Sequence, residues 1–225
     1  MTAHFVQRLD GLRSRASRMA SLVEDMVQEA CASVVDADDR TARRVIARDR
    51  EVDAEEVDVE SEVIRLMALH QPVGPDLRLL CTVLKTNNDL ERVADCAVNI
   101  AERACHLDPP LFAHHRDNVT EMGACVRRML RHAIQAFAVE DVDLARRTFL
   151  EEERVDALYE QVIKQIVLEG ATSSDGMAGQ LDVLSVAKNL ERIADHATNI
   201  AEDVIFLATG RIVRHGDGPA PRTST

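Results

Sequence analysis

Apolar residues recur at helical spacing along nearly the whole chain. Over residues 3–36, Phe5, Leu9, Leu12, Ala16, Met19, Leu22, Val23, Met26 and Ala30 follow one another mostly at three- and four-residue steps. That period puts side chains on one face of an α-helix. A polar break at Asp36 to Asp39 separates this first helix from a second that runs to about His70. The segment Gln71-Pro72-Val73-Gly74-Pro75-Asp76 reads as a turn. A third helix follows to about Leu107, stopped by Asp108-Pro109-Pro110. A fourth is expected from about Leu111 to Val139 and a fifth from about Asp141 to Glu169. After the Gly-, Ser- and Thr-rich stretch Gly170 to Gly179, a sixth runs to near Gly210. The tail from His215 to Thr225, with two Pro and two Gly, reads as disordered. Six helices of roughly 35 residues are each about 50 Å long. This pattern predicts an all-α, elongated bundle.

The bundle is repeated. Leu90-Glu-Arg-Val-Ala-Asp-Cys-Ala-Val-Asn-Ile-Ala-Glu102 returns as Leu190-Glu-Arg-Ile-Ala-Asp-His-Ala-Thr-Asn-Ile-Ala-Glu202, with 10 of 13 positions identical at an offset of 100. Upstream, Ala42-Arg43-Arg44 matches Ala145-Arg146-Arg147, and Asp49 to Asp53 matches Glu152 to Asp156, both at an offset of 103. The expected organisation is therefore two pseudo-symmetric three-helix bundles, residues 1–108 and 109–214, followed by the tail 215–225.

Composition narrows the function. Of 225 residues, 46% are hydrophobic, enough for a sizeable core. Aromatics are 3%, without Trp, which agrees with helices rather than sheets. There are 39 Asp and Glu against 27 Lys and Arg, a formal charge of −12. That balance argues against nucleic acid, which is held mainly by Lys and Arg. No apolar run approaches the roughly 20 residues that span a bilayer. Met1 to Ala30 mixes charged residues throughout and shows no signal-peptide core. A cytoplasmic protein that meets membranes only through partners is expected. The five cysteines (31, 81, 96, 105, 125) form no CxxC pair, so they read as small buried apolar residues in a reducing compartment.

The acidic residues are not scattered. On the second helix Asp49, Asp53, Glu56 and Glu60 fall at steps of four, three and four. On the third, Glu91, Asp95 and Glu102 lie off the apolar face formed by Leu90, Val93, Ala94, Ala97, Ile100 and Ala101. The second half repeats this with Glu152, Asp156 and Glu160, then Glu191, Asp195 and Glu202. Like charges at i,i+4 repel. A cation held by acidic pairs from two helices would reverse that, and oxygen-only donors suit Mg²⁺, Mn²⁺ or iron, with zinc less preferred. The same stripes read equally as solvated acidic faces, and spacing alone leaves both readings open. Arg92 and Arg192 either bond neighbouring carboxylates or help hold an anion near a metal, and His70, His106, His114, His115 and His196 read as structural rather than as ligands. Glu-x-x-His, Walker A, HExxH and nucleophile motifs are absent from the sequence.

Asp76-Leu77-Arg78 after the turn, the two Leu-Glu-Arg-x-Ala-Asp motifs, and Asp195 through His215 together resemble the PhoU family, bacterial regulators of high-affinity phosphate transport. The resemblance covers about residues 3–215; Ala94 and Ala194 stand where that family usually has Gly. It implies two three-helix bundles and multinuclear metal clusters of iron, zinc or another divalent ion. One would be held by Asp49, Asp53, Glu91 and Asp95, the other by Glu152, Asp156, Glu191 and Asp195. It also implies a non-enzymatic, homodimeric negative regulator of the phosphate-starvation response. Its partners would be the ATPase subunit of the phosphate ABC transporter and a phosphate-sensing histidine kinase. Two alternatives are a metal-dependent helical-bundle oxidase or phosphohydrolase, and a metal-free interaction module.

Overall fold

The computed structural model describes residues 3–170 and 177–213. Its elements are α1 (Ala3–Asp36), α2 (Asp39–His70), α3 (Pro75–Ala104), the single turn α4 (Pro109–Phe112), α5 (Arg116–Val139), α6 (Val142–Thr148), a 3-10 turn (Phe149–Glu151), α7 (Glu152–Gly170) and α8 (Met177–Thr209). The described residues contain no strand. The expected tail and most of the loop before the last helix lie outside the described residues.

Helix boundaries follow local chemistry. Ala37 adopts φ 52° and ends α1. Asp38 then caps α2, its Oδ1 accepting from the backbone N–H of Arg40 at 3.0 Å and Thr41 at 3.2 Å. The second half repeats the device at an offset of 103. Glu140 is left-handed (φ 54°), and Asp141 accepts from Asp143 N–H at 2.8 Å and Leu144 N–H at 3.0 Å. Three boundaries differ from expectation. The third helix closes at Ala104, and Cys105 and His106 wrap back by hydrogen bonds to Ala101 and Arg103. The fourth begins at Arg116, because the chain first burries His115 completely. The fifth is broken at Phe149–Glu151, where no Pro or Gly stands. Packing sets that break: α6 buries Ala145 and Thr148, and α7 buries Val155, Leu158 and Val162.

α1, α2 and α3 pack on one another, as α5, α6, α7 and α8 do; α3 lies along α8, and α1 meets α5. The core is therefore continuous across the two halves. Leu12, Met19 and Met26 of α1, Leu80, Leu90 and Ile100 of α3, Met122 and Leu130 of α5 and Leu190 of α8 are fully enclosed. Each such side chain contributes about 1.5–3 kcal/mol of burial. Two further links join the halves. Arg78, at the start of α3, donates from Nε to the Leu207 carbonyl at 3.4 Å and lies beside Gly210 at the end of α8. Lys85 Nζ meets Asp203 Oδ1 at 2.6 Å. Among the described residues, no helix is long and apolar enough to cross a membrane. Cys96 and Cys125 are buried, whereas Cys31, Cys81 and Cys105 are half-buried, so the expectation of buried cysteines holds for two of the five.

Candidate functional site

The acidic stripes of α2 and α3 face a common groove. Val52, Val59 and Val63 hold α2 against the core. Asn87 of α3 pins it further, donating from Nδ2 to the Glu56 carbonyl at 3.0 Å. This leaves Asp49 half-buried beside its neighbour Asp53 and opposite Asp95 and Glu102. Loss of water pushes the Asp49 carboxyl above its ordinary range, and the charges of Asp53, Asp95 and Glu102 push it the same way. Glu91 is raised too, first by burial, then by Asp95, with Glu56 and Asp53 adding to it and Arg92 opposing. The predicted set Asp49, Asp53, Glu91 and Asp95 is thus one electrostatic unit drawn from two helices.

The second half builds the same arrangement on α7 and α8. Asp156 is raised by desolvation and then by Glu191, Glu160 and Glu153, against Lys188. Asp195 is raised by desolvation, by Glu191 and by Asp156, again against Lys188. Glu152 stands half-buried at the first residue of α7, one turn before Asp156.

Cations already reach into both grooves. Arg92 Nε lies 3.3 Å from Glu91, and its Nη1 lies 3.6 Å from Asp95. Lys188 Nζ bonds Glu191 at 2.6 Å and lies 5.4 Å from the centre of the Tyr159 ring. Lys188 has no counterpart in the first groove, since Asn88 occupies the equivalent position. Arg192 has no carboxylate within ion-pair distance among the described residues and lies near Cys96 instead. Among the described residues, no three His, Cys, Asp or Glu side chains are gathered as a metal-holding group.

A third polar cluster escaped sequence reasoning. Between α3 and α8, His196 Nδ1 lies 2.8 Å from Asp89 Oδ1, and Asn199 Nδ2 donates to the same oxygen at 3.4 Å. Its pseudo-symmetric counterparts are Cys96 and Asn189, and Asn189 instead donates to the Ser185 carbonyl of its own helix at 2.8 Å. Asp89 directly precedes the repeated motif, but its burial appears only in the structure, so no local sequence signal marked it. His114 Nδ1 and His115 Nε2 each lie 3.4 Å from a Glu169 oxygen.

The PhoU domain model matches residues 16–104 and again 119–204, so each half of the molecule carries one copy. The chain belongs to the PhoU family. The phosphate-specific transport system accessory protein PhoU homolog of Pseudomonas aeruginosa is 33% identical over 216 residues, covering 96% of this chain and 89% of the relative. The homolog from Caulobacter vibrioides is 34% identical over 216 residues, 93% of this chain and 94% of that one. Among solved structures, PhoU from Pseudomonas aeruginosa superposes with a TM-score of 0.87 at 32% identity, over 92% of this chain and all (100%) of that chain. The phosphate transport system regulatory protein PhoU from Streptococcus pneumoniae gives 0.86 at 25% identity, over 94% and 100%. Ala94 and Ala194, at the positions where the PhoU pattern was expected to have Gly, are buried within α3 and α8 without interrupting either helix.

Proposed function

We propose that this PhoU-family chain is a negative regulator of phosphate uptake and of the phosphate-starvation response. It works in the cytoplasm as a homodimeric adaptor between the ATPase subunit of the phosphate transporter and a sensor histidine kinase. Its two acidic grooves take up divalent metal ions, with Asp49, Asp53, Glu91 and Asp95 serving one groove and Glu152, Asp156, Glu191 and Asp195 the other. The observation that carries the metal reading is the doubled groove, in which carboxylates from two helices raise one another's proton affinity. Groups held in mutual repulsion gain most from a cation. The all-oxygen donor set fits Mg²⁺, Mn²⁺ or iron. Ion uptake requires Arg92 and Lys188 to swing out, and both are long and about half exposed (49% and 47%). The regulatory reading rests on family membership and on relatives named as accessory proteins of phosphate-specific transport.

The metal reading is tested by thermal unfolding with Mn²⁺ or Fe²⁺ and by elemental analysis of protein purified from cells. The wild type should gain stability with added ion by mass action. An Asp95→Asn, Asp195→Asn double variant should lose that gain and its bound metal. Wild-type protein indifferent to metal and to chelator would sink the metal reading. Capture of the transporter ATPase or the kinase from phosphate-replete cells tests the adaptor reading, and failure to capture either would overturn it.

One observation favours a metal-free docking face. Arg92 and Lys188 already neutralise part of each groove, and among the described residues no metal-holding group is formed. In that reading a basic partner replaces these cations, and its binding weakens with salt.

A further inference from the structure

A half-open cavity of about 200 Å³ lies where α1, α3, α5 and α8 meet, and so draws its walls from both halves. Its floor is Ile100, Val119, Val186 and Leu190, all nearly or fully buried. Gly123 brings α1 and α5 together at one edge, where an added Cβ would stand 3.3 Å from Cys31 Sγ. The Cys31 thiol, pushed up to about 11 by burial, stays neutral and adds no charge to the wall. The charge comes from Arg127. Its Nε is shut off from solvent without a hydrogen-bond partner, and it enters no ion pair among the described residues. Its neighbours behave otherwise: Arg128 reaches Glu151 and Arg131 reaches Glu24, both at 2.9 Å.

Arg127 Nε is enclosed by protein atoms, so an occupant of the cavity meets the outer guanidinium nitrogens, which enter no ion pair among the described residues. Thr120 adds a hydroxyl-bearing side chain to the lining. The space exceeds the roughly 150 Å³ of an apolar cavity that accepts benzene. We propose that this cavity binds a small amphipathic carboxylate. Its apolar body, about the size of a benzene ring with a short arm, rests on Ile100, Val186 and Leu190, and its acid group takes the free face of Arg127. The planar guanidinium suits a two-oxygen acceptor. Asp36, the last residue of α1, is the one other charged group on the lining. It is exposed at the rim, where solvent screens it, and it works weakly against the anion. A ligand seated there touches both repeats at once.

Calorimetric titration of the full chain with phenylacetate tests this, with benzyl alcohol as the uncharged probe. Saturable binding of phenylacetate is expected, with benzyl alcohol clearly weaker. Arg127→Met keeps the apolar stem and removes the charge, and it should weaken phenylacetate by roughly tenfold or more. Asp36→Asn should tighten it slightly. Ala124→Phe, which fills the mouth, should abolish binding with helicity retained; should that variant unfold, the Arg127→Met comparison decides alone. Absence of saturable binding by the wild type, equal affinity of Arg127→Met, or equal binding of benzyl alcohol would each overturn the proposal.

Discussion

Asp49, Glu91, Asp156 and Asp195 all bind protons more readily in the folded chain than free in water. A raised folded pKa contributes stability that is complete below the ordinary carboxylate range and is lost as pH rises through the raised value. Asp38, Asp39 and Glu151 are shifted the other way, held down chiefly by hydrogen bonds to Thr41, Arg43 and Arg128. Their contribution persists until pH falls through their depressed values. Metal-free protein should therefore become more stable as pH falls from neutral toward the ordinary carboxylate range, and less stable below it. Asp156→Asn should raise the neutral-pH melting temperature and flatten the first part of that curve; thermal melts across pH in chelator would check it. A lower melting temperature at neutral pH would contradict it. The groove acids were legible because i,i+4 spacing fixes a shared helix face before any fold is known. The ties Lys85–Asp203 and His196–Asp89 were not, since 118 and 107 residues separate their members in sequence.

Periodicity disclosed the long elements well; two of their starts carry acidic caps that the sequence showed only as a polar break and an approximate boundary. Asp38 and Asp141 are short acids ahead of helical runs, and each accepts two backbone N–H groups that would otherwise lack partners. Asp141→Ala should cost roughly 0.5–2 kcal/mol, read as a lower urea midpoint with unchanged slope. An unaltered midpoint would show that the cap carries no net stability. The break between α6 and α7 stayed hidden because no residue there disfavours a helix strongly. Only the simultaneous demand of α5 and α8 for buried faces on α6 and α7 bends the chain.

The two halves are repeats in sequence but not separate in packing. α3 and α8 lie against each other along their length, and one core runs through both. Removing either half would expose the apolar flank of the other helix, including Leu80, Ile100 and Leu190. Residues 1–108 expressed alone should thus lack a cooperative melt and should self-associate; size-exclusion chromatography and circular dichroism would report this. A monomeric fragment with a sharp transition would show that the first half folds without the second.

The mismatch at positions 96 and 196 reaches beyond its immediate bonds. A duplicated scaffold would offer a visitor two interchangeable orientations, related by a half-turn. The imidazole–carboxylate clasp on one side, opposite a mute thiol and an inward-turned amide on the other, removes that degeneracy. The molecule has a front and a back, and whatever approaches the seam between its halves can tell which way round it sits.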